Sequence, residues 1–356
     1  MSIESVATTD VFPLPGLDAV EERPEMSTGH WLERGPSKRL MVFAGRSHPD
    51  LAASIAERLG VGLGEIELKT FPNGETYCRY CESVRGADVF VVQTGCHPVD
   101  SNLMELFLMI QAAKLASAKR ITAVVPWFPY SRQDRKAKPR EPISGRFVAD
   151  ALELAGADRV LTMDLHAGQI QGFFTIPVDH MTALQLFATH FRDLGLTGDG
   201  IVAVAPDAGR AKHAVRFGEM IEANFAIMHK TRVSADRVEM TEVTGRVKDK
   251  VAIVGDDVST TGSTLIAGAK ALREHGASEV NMFVTHALFS DEALEKLDAC
   301  DDIERIVVTD TIPIDARKRP GKMTVLSVAP LLAEAIMNVF ADESVSGIFG
   351  GENQLF

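Results

Sequence analysis

A chain of 356 residues has room for two domains of ordinary size, and 46% hydrophobic with 24% charged content belongs to a folded, soluble protein. The net charge of −12 argues against wrapping nucleic acid or lying on an anionic membrane, and favours a small anionic substrate met by local basic residues. No apolar run approaches the ~20 residues of a membrane span and the N-terminus lacks a basic-then-apolar secretory order, so cytoplasm is the expected location; four scattered cysteines rule against a disulfide framework.

Residues 1–38 carry Pro13, Pro15, Gly16, Pro24, Gly29, Gly35 and Pro36 among an excess of acidic side chains and read as an extension without sustained periodicity. From Arg39 the pattern alternates strand and helix. LMVFAG is followed by a helix through about Leu51 to Leu59, then by IELK. FPNGETYCRY, from Phe71 to Tyr80, reads as a turn in which Asn73 and Gly74 can take positive φ, with Glu75 an acceptor and Phe71 a stacking face. The C-x-x-C of Cys78 and Cys81 falls in an alternating stretch that fits strand packing. VFVVQ at 89–93, a helical face of Leu103, Leu106, Phe107 and Ile110, and ITAVVP at 121–126 continue the β-then-α order.

The stretch from Pro126 to Ile143, PWFPYSRQDRKAKPREPI, places Arg132, Arg135, Lys136, Lys138 and Arg140 in a loop after a buried strand, a place for polyphosphate. In MDLHAGQIQGFFTIPVD, Asp164 and His166 end a strand; a His with carboxylates beside polyphosphate implies a divalent ion, most simply Mg²⁺. AVAPDAGR ends another strand in Asp207, a candidate metal partner. MHKTRVSADRV, after strand-like FAIM, reads as a mobile basic loop whose Lys230 and Arg232 could close over a charged transition state. The repeated passage from a small-residue pair through polar residues into an apolar strand, at 117, 156 and 276, supports parallel sheets covered on both faces with ligands at the strands' carboxyl ends. A boundary is expected between Val178 and Thr182.

The most chemically explicit stretch is Val251 to Leu265, VAIVGDDVSTTGSTL. Val251, Ile253 and Val254 suit a buried strand, while Leu265, Ile266, Ala269 and Leu272 fall at helical spacing. The loop from Val258 to Ser263 thus lies at a helix N-terminus, whose unpaired N–H groups bind phosphate; Thr260, Thr261, Ser263 and Thr264 add hydroxyls and Gly262 allows close approach. Asp256 and Asp257 would be repelled by phosphate and suit ribose hydroxyls or a metal ion. A sugar phosphate is implied. This loop resembles that shared by phosphoribosyltransferases and phosphoribosyl-diphosphate synthetases, and by itself does not choose between them.

The breadth of the other motifs does. From about Arg39 to Phe349 the chain resembles the ribose-phosphate diphosphokinase (phosphoribosyl-diphosphate synthetase) family, most specifically along DLHAGQIQGFFTIPVD at 164–179. FPNGE, YSRQDRKAKPREPI, NLMELFLMI at 102, TDTIPI at 309 and LLAEAI at 331 are similar to the family in order and spacing. The resemblance implies an α/β fold of two phosphoribosyltransferase-like domains, 39–180 and 181–345, each a mostly parallel sheet with helices on both faces. It implies transfer of the diphosphoryl group of ATP to the anomeric hydroxyl of ribose 5-phosphate. ATP would meet Phe71, Asn73, Gly74, Glu75, Arg132 and Gln133; Mg²⁺ would meet His166 and Asp207; Lys230 and Arg232 would be the catalytic pair. Asp256, Asp257 and Thr260 to Thr264 would hold ribose 5-phosphate, and a homo-oligomer, commonly a hexamer sharing the ATP site across subunits, is implied.

Three departures stand out. Thr260 occupies a position where many members carry a third Asp, Thr231 replaces the middle Arg of a common Lys-Arg-Arg run, and residues before 39 have no family counterpart. The alternatives these motivate are a non-catalytic regulatory subunit, from Thr231 and the extension, and a phosphoribosyltransferase, from the TTGST loop.

Overall fold

The computed structural model describes residues 38–232 and 238–349, leaving out the side chains of 230–232, 238–241 and 349. Apart from Lys38, the extension expected before residue 39 lies outside the described residues. From Arg39 onward the chain forms one unit, which contains two large sheets.

The first sheet begins with β1 (Leu40–Ala44), followed by α1 (Pro49–Leu59). Pro49 suits the first turn of α1, the His48 ring accepts the N–H of Leu51 at 3.4 Å, and Gly60 at φ 71° ends the helix. A hairpin of β2 (Ile66–Thr70) and β3 (Thr76–Tyr80) interrupts the β-then-α order. Then come β4 (Asp88–Val92), α2 (Val99–Leu115), β5 (Arg120–Val125), α3 (Ser144–Ala155), β6 (Arg159–Met163) and β7 (Val178–Met181). The sheet order is β1-β4-β5-β6-β7, parallel throughout.

After α4 (Leu184–Asp193), the second sheet is built from β8 (Ile201–Ala205), α5 (Ala211–Met220), β9 (Asn224–Arg232), β10 (Val238–Thr244), β11 (Val251–Ser259) and α6 (Ser263–Glu274). It is completed by β12 (Glu279–Ala287), α7 (Asp291–Asp298), β13 (Arg305–Thr309) and β14 (Met323–Leu326), and α8 (Ala329–Ala341) follows. The order is β10-β9-β8-β11-β12-β13-β14, with only β9 and β10 antiparallel. The expected basic loop is therefore corrected in part. β9 runs through Arg232, which pairs with Val238, so the backbone of Lys230 and Arg232 is strand, because alternation in FAIMHKTR can continue into polar residues at a sheet edge.

Alternate residues on each strand serve opposite faces. Val89 and Val91 of β4 pack with Leu106, Met109 and Ile110 of α2, whereas Phe90 and Val92 face Leu51 and Ile55 of α1. This second core continues into the other sheet through Phe187, Phe191, Phe217 and Phe283; the Phe283 ring lies 4.6 Å from both Phe187 and Phe217. Truncating such a ring to Ala costs about 3–5 kcal/mol. A Cβ at Gly255 would sit 2.1 Å from the same ring, so glycine is required where β11 passes it. α8 returns to pack on α1. The two sheets thereby share one apolar layer, and the carboxyl ends of β6, β11 and β12 come together beside it.

Candidate active site

β11 runs to Ser259, further than the apolar run alone indicates, because Asp256, Val258 and Ser259 continue its pairing with β12. The turn is therefore short: Thr260, Thr261 and Gly262 lead directly into α6. Gly262 sits at φ 69° as the N-cap, and a Cβ there would lie 3.1 Å from Leu297, so both the backbone and the space demand glycine. Thr261 and Ser263 hydroxyls are 3.0 Å apart above the first turn of α6. Hydroxyls and a helix N-terminus together are chemistry that suits an anion.

The charged residues beside it are tied together. Asp257, with its side chain 2% exposed, takes the ring of His166 on Oδ2 at 2.7 Å and an Arg210 guanidinium nitrogen on Oδ1. Arg210 also approaches Asp256 at 3.7 Å and donates to the His166 carbonyl at 3.4 Å. Burial would raise the Asp257 carboxyl, but the His166 hydrogen bond and the Arg210 charge override it and hold the group below the usual carboxylate range. Asp256 is pushed well above that range, first by burial and then by the Asp257 charge. Because Asp257 is an acceptor, His166 donates from Nδ1, which leaves Nε2 as its other ring nitrogen.

Asp207 caps the short 3₁₀ helix Ala208–Arg210, accepting the Arg210 N–H at 3.2 Å, and so sits one turn from the same guanidinium. Among the described residues no three His, Cys, Asp or Glu side chains form a metal-binding group. Mg²⁺ is commonly bound through one or two carboxylates, with water and substrate phosphate completing its octahedron, a pattern that the Asp207 carboxylate fits and in which the His166 imidazole is a less typical partner. A cavity of about 20 Å³, room for a single water, lies under Asp256, Asp257, Arg210 and Asp164.

Arg132 connects the basic loop to this region, its Nη2 lying 3.5 Å from the Val258 carbonyl of β11. Gln133 accepts the Ser144 hydroxyl at 2.7 Å through its side chain and the Gly145 N–H at 3.1 Å through its carbonyl, which anchors the loop on the start of α3. Arg132 and Gln133 line an open cleft of about 540 Å³ with Trp127, Tyr130 and Leu288. Phe71, Asn73, Gly74 and Glu75 stand at the exposed tip of the β2–β3 hairpin. Asn73 accepts the Glu75 N–H at 3.2 Å, and among the described residues no hydrogen bond joins this tip to Arg132 or Gln133. The side chains of Lys230 and Arg232 lie outside those described.

Sequence reasoning passed over Arg210, although it stands three residues after Asp207 in the same motif. An Arg between candidate acidic residues is the natural counter-ion for two adjacent buried carboxylates, and that was the available signal.

The residues 40–156 match the family model of the N-terminal domain of ribose phosphate pyrophosphokinase, and 231–350 match that of the phosphoribosyl synthetase-associated domain. A ribose-phosphate pyrophosphokinase from Caldanaerobacter subterraneus subsp. tengcongensis is 49% identical over 310 residues, 87% of this chain and 98% of that protein. The chain belongs to the ribose-phosphate pyrophosphokinase family. A second member, from Clostridium perfringens, is 46% identical over 314 residues, 88% of this chain and 98% of its own length. The crystal structure of phosphoribosylpyrophosphate synthetase from Mycobacterium smegmatis superposes with a TM-score of 0.79 at 44% identity, covering 86% of this chain and all of that one. The chain is thus an enzyme of the pyrophosphokinase type with the family's α/β fold, and the expectation drawn from the 164–179 signature is met. Among the described residues no helix is long and apolar enough to cross a membrane.

Proposed function

We propose that the enzyme transfers the β,γ-diphosphoryl group of ATP to the anomeric hydroxyl of ribose 5-phosphate, giving phosphoribosyl diphosphate and AMP, in the cytoplasm. The observation that carries the residue assignment is the Asp257–Arg210–His166 joint beside the hydroxyl-rich turn, with Asp257 and Arg210 buried and His166 exposed. Thr260, Thr261, Gly262, Ser263 and Thr264 cradle the 5-phosphate, whose charge suits the N-terminus of α6. Asp256, kept toward its protonated form, and Asp257 flank the ribose hydroxyls; Asp257 is already committed to Arg210 and His166, so its larger part is to fix the His166 ring. His166 Nε2 and Asp207 are the groups that would hold Mg²⁺, which supplies charge neutralisation on the phosphates when bound.

Arg132 and Gln133 take the ATP phosphates and adenosine from the 540 Å³ cleft, joined by Phe71, Asn73, Gly74 and Glu75. Lys230 and Arg232 stabilise charge on the transferring group, with no covalent intermediate. The exposed hairpin tip suits an ATP site completed by another copy of the chain, as in a homo-oligomer, with a hexamer the specific expectation. The division into 39–180 and 181–345 would fall at the last residue of β7, before α4 and β8, with α8 packing back on α1.

The test is AMP release from ATP, Mg²⁺ and ribose 5-phosphate against a control without sugar. Sugar-dependent AMP is expected, and Lys230→Ala is expected to lower kcat by about 10²-fold or more. Equal AMP with and without sugar would overturn the reading, and ligand binding without turnover, unchanged by Lys230→Ala, would point to a binding subunit.

A further inference from the structure

Between the carboxyl ends of the two sheets lies a set of buried polar side chains that neither the phosphate cradle nor the ATP cleft uses. His286 of β12 is fully buried, with its ring 4.7 Å from that of Trp127. Its Nε2 lies 3.1 Å from the carbonyl oxygen of Met163 and 3.3 Å from that of Asp164. Both partners are acceptors, so Nε2 carries the hydrogen. Its Nδ1 is 3.0 Å from the Thr311 hydroxyl. The Thr285 carbonyl receives the Thr309 hydroxyl at 2.7 Å and the Thr311 hydroxyl at 3.0 Å, so Thr311 bridges β12 and the His286 ring. Burial favours the neutral ring, in keeping with one donor and one acceptor nitrogen.

Asp164 is held from its other sides as well. Its N–H donates to the Met181 carbonyl at 2.9 Å, and its Oδ2 accepts the Thr285 hydroxyl at 2.7 Å and the Ala183 N–H at 3.0 Å. This matters because Asp164 has φ 34°, a left-handed conformation that is strained for a non-glycine residue and persists only where its surroundings over-determine it. Two residues later, His166 reaches Asp257 across the gap between the sheets.

We propose that His286 is a positioning residue for the transfer: by donating from Nε2 to the Met163 and Asp164 carbonyls it locks the end of β6 in the turn from which His166 meets Asp257. The inference rests on the reading that His166 serves the reaction. Thr311 is the second link, since its hydroxyl meets Nδ1 at 3.0 Å and so holds the ring from its other side. The segment Thr309–Thr311 is thereby tied to the chemistry without touching substrate. Thr94 secures it in turn, donating to the Thr311 carbonyl at 2.8 Å.

Two amide substitutions separate this role from packing. In His286→Gln the amide nitrogen can occupy the place of Nε2 and keep the bond to the carbonyls; in His286→Asn it can occupy only the place of Nδ1. The Asn variant is expected to lose about 30-fold in kcat, within the range that a misplacement near 1 Å produces, with KM for both substrates within about twofold. The Gln variant is expected to keep at least roughly a third of wild-type kcat, while the two share similar melting temperatures. Crystal structures of both variants read the same point without turnover: the Asn variant is expected to move Asp164 to negative φ and open the His166–Asp257 contact, and the Gln variant to keep both. Thr311→Val covers the case in which the Asn variant fails to fold, and is expected to lower kcat with KM unchanged. Equal kcat in Gln and Asn, a loss lodged in KM, or an Asn structure with the Asp164 turn intact would overturn the proposal. An inactive wild type would instead sink the functional reading, leaving the crystallographic comparison to decide the role of His286.

Discussion

At the carboxyl end of β11, Asp257 is 4% exposed and bound by both Arg210 and His166, whereas at the tip of the β2–β3 hairpin Phe71 is 41% exposed and Asn73, among the described residues, is hydrogen-bonded only to its own turn. One end is built before any ligand arrives. Its groups are desolvated, paired and held by strands of two sheets, so binding there spends little on ordering side chains. The hairpin tip rests on a two-stranded sheet whose charged groups face water, with Lys69 over the Tyr77 ring at 4.4 Å as its most local support. The difference separates residues whose loss should unfold the site from residues whose loss should only weaken binding.

The sharpest test of that separation is Arg210. Arg210→Ala leaves Asp256 and Asp257 adjacent, buried and without their counter-ion, and removing one partner of a buried pair costs about 3–5 kcal/mol. Chemical denaturation should show that loss, and AMP release should fall at the same time because His166 loses the alignment of its Asp257 partner. Arg210→Lys should recover part of the stability, since the charge remains while the two-carboxylate reach of the guanidinium does not. If Arg210→Ala is as stable as wild type, the strand-end cluster is not the pre-built half of the site.

Acid provides a milder probe of the same half. His180 on β7 is buried, and its Nε2 accepts the Leu165 N–H at 2.8 Å, one residue before His166. Burial chiefly lowers its pKa from 6.5 to about 4, with the nearby His213 and His286 adding to the shift and Asp164 opposing it. A folded-state pKa below the unfolded value means that the unfolded chain takes up the proton first. Stability is therefore intact above pH 6.5 and falls as pH drops toward 4. His48, His213 and His286 are lowered too, so they act in the same direction. Melting temperatures across this window should fall less steeply in His180→Gln, whose amide oxygen can still accept the Leu165 N–H without titrating. Parallel wild-type and variant curves would show that the acid sensitivity lies elsewhere.

The same division explains what the amino-acid order revealed. The β11–turn–α6 unit was legible because strand period, turn residues and helical period follow one another within 24 residues, Val251 to Glu274. The hairpin could be read from Asn73-Gly74 for the same local reason. The length of β11 could not, since Asp256 and Asp257 look like a strand's end until Arg210, 46 residues earlier, supplies their charge balance. His286 was hidden more deeply: it sits inside the apolar run of β12, and its partners Met163 and Asp164 are more than 120 residues away. The return of α8 onto α1 is likewise a long-range contact with no local signal. Local periodicity reports backbone type, while buried polar pairs report contacts that only the fold creates.

The smallest effects should come from the hairpin. Asn73→Ala removes one bond within an exposed turn and Glu75→Ala none of the hydrogen bonds made by its backbone, so neither should shift the melting temperature measurably. Both should raise KM for ATP by about 10-fold, the scale of one lost polar contact of about 1.4 kcal/mol, and leave KM for ribose 5-phosphate unchanged. If the tip serves another copy of the chain, mixed oligomers of Asn73→Ala and Lys230→Ala subunits should recover part of the activity that each homogeneous preparation lacks, because some sites then combine an intact tip with an intact Lys230. Recovery would place the hairpin's contribution in trans. No recovery in confirmed mixed oligomers, together with a shared loss in both KM values, would mean that the hairpin belongs to the same pre-built half as Asp257, and the contrast between the two ends would collapse.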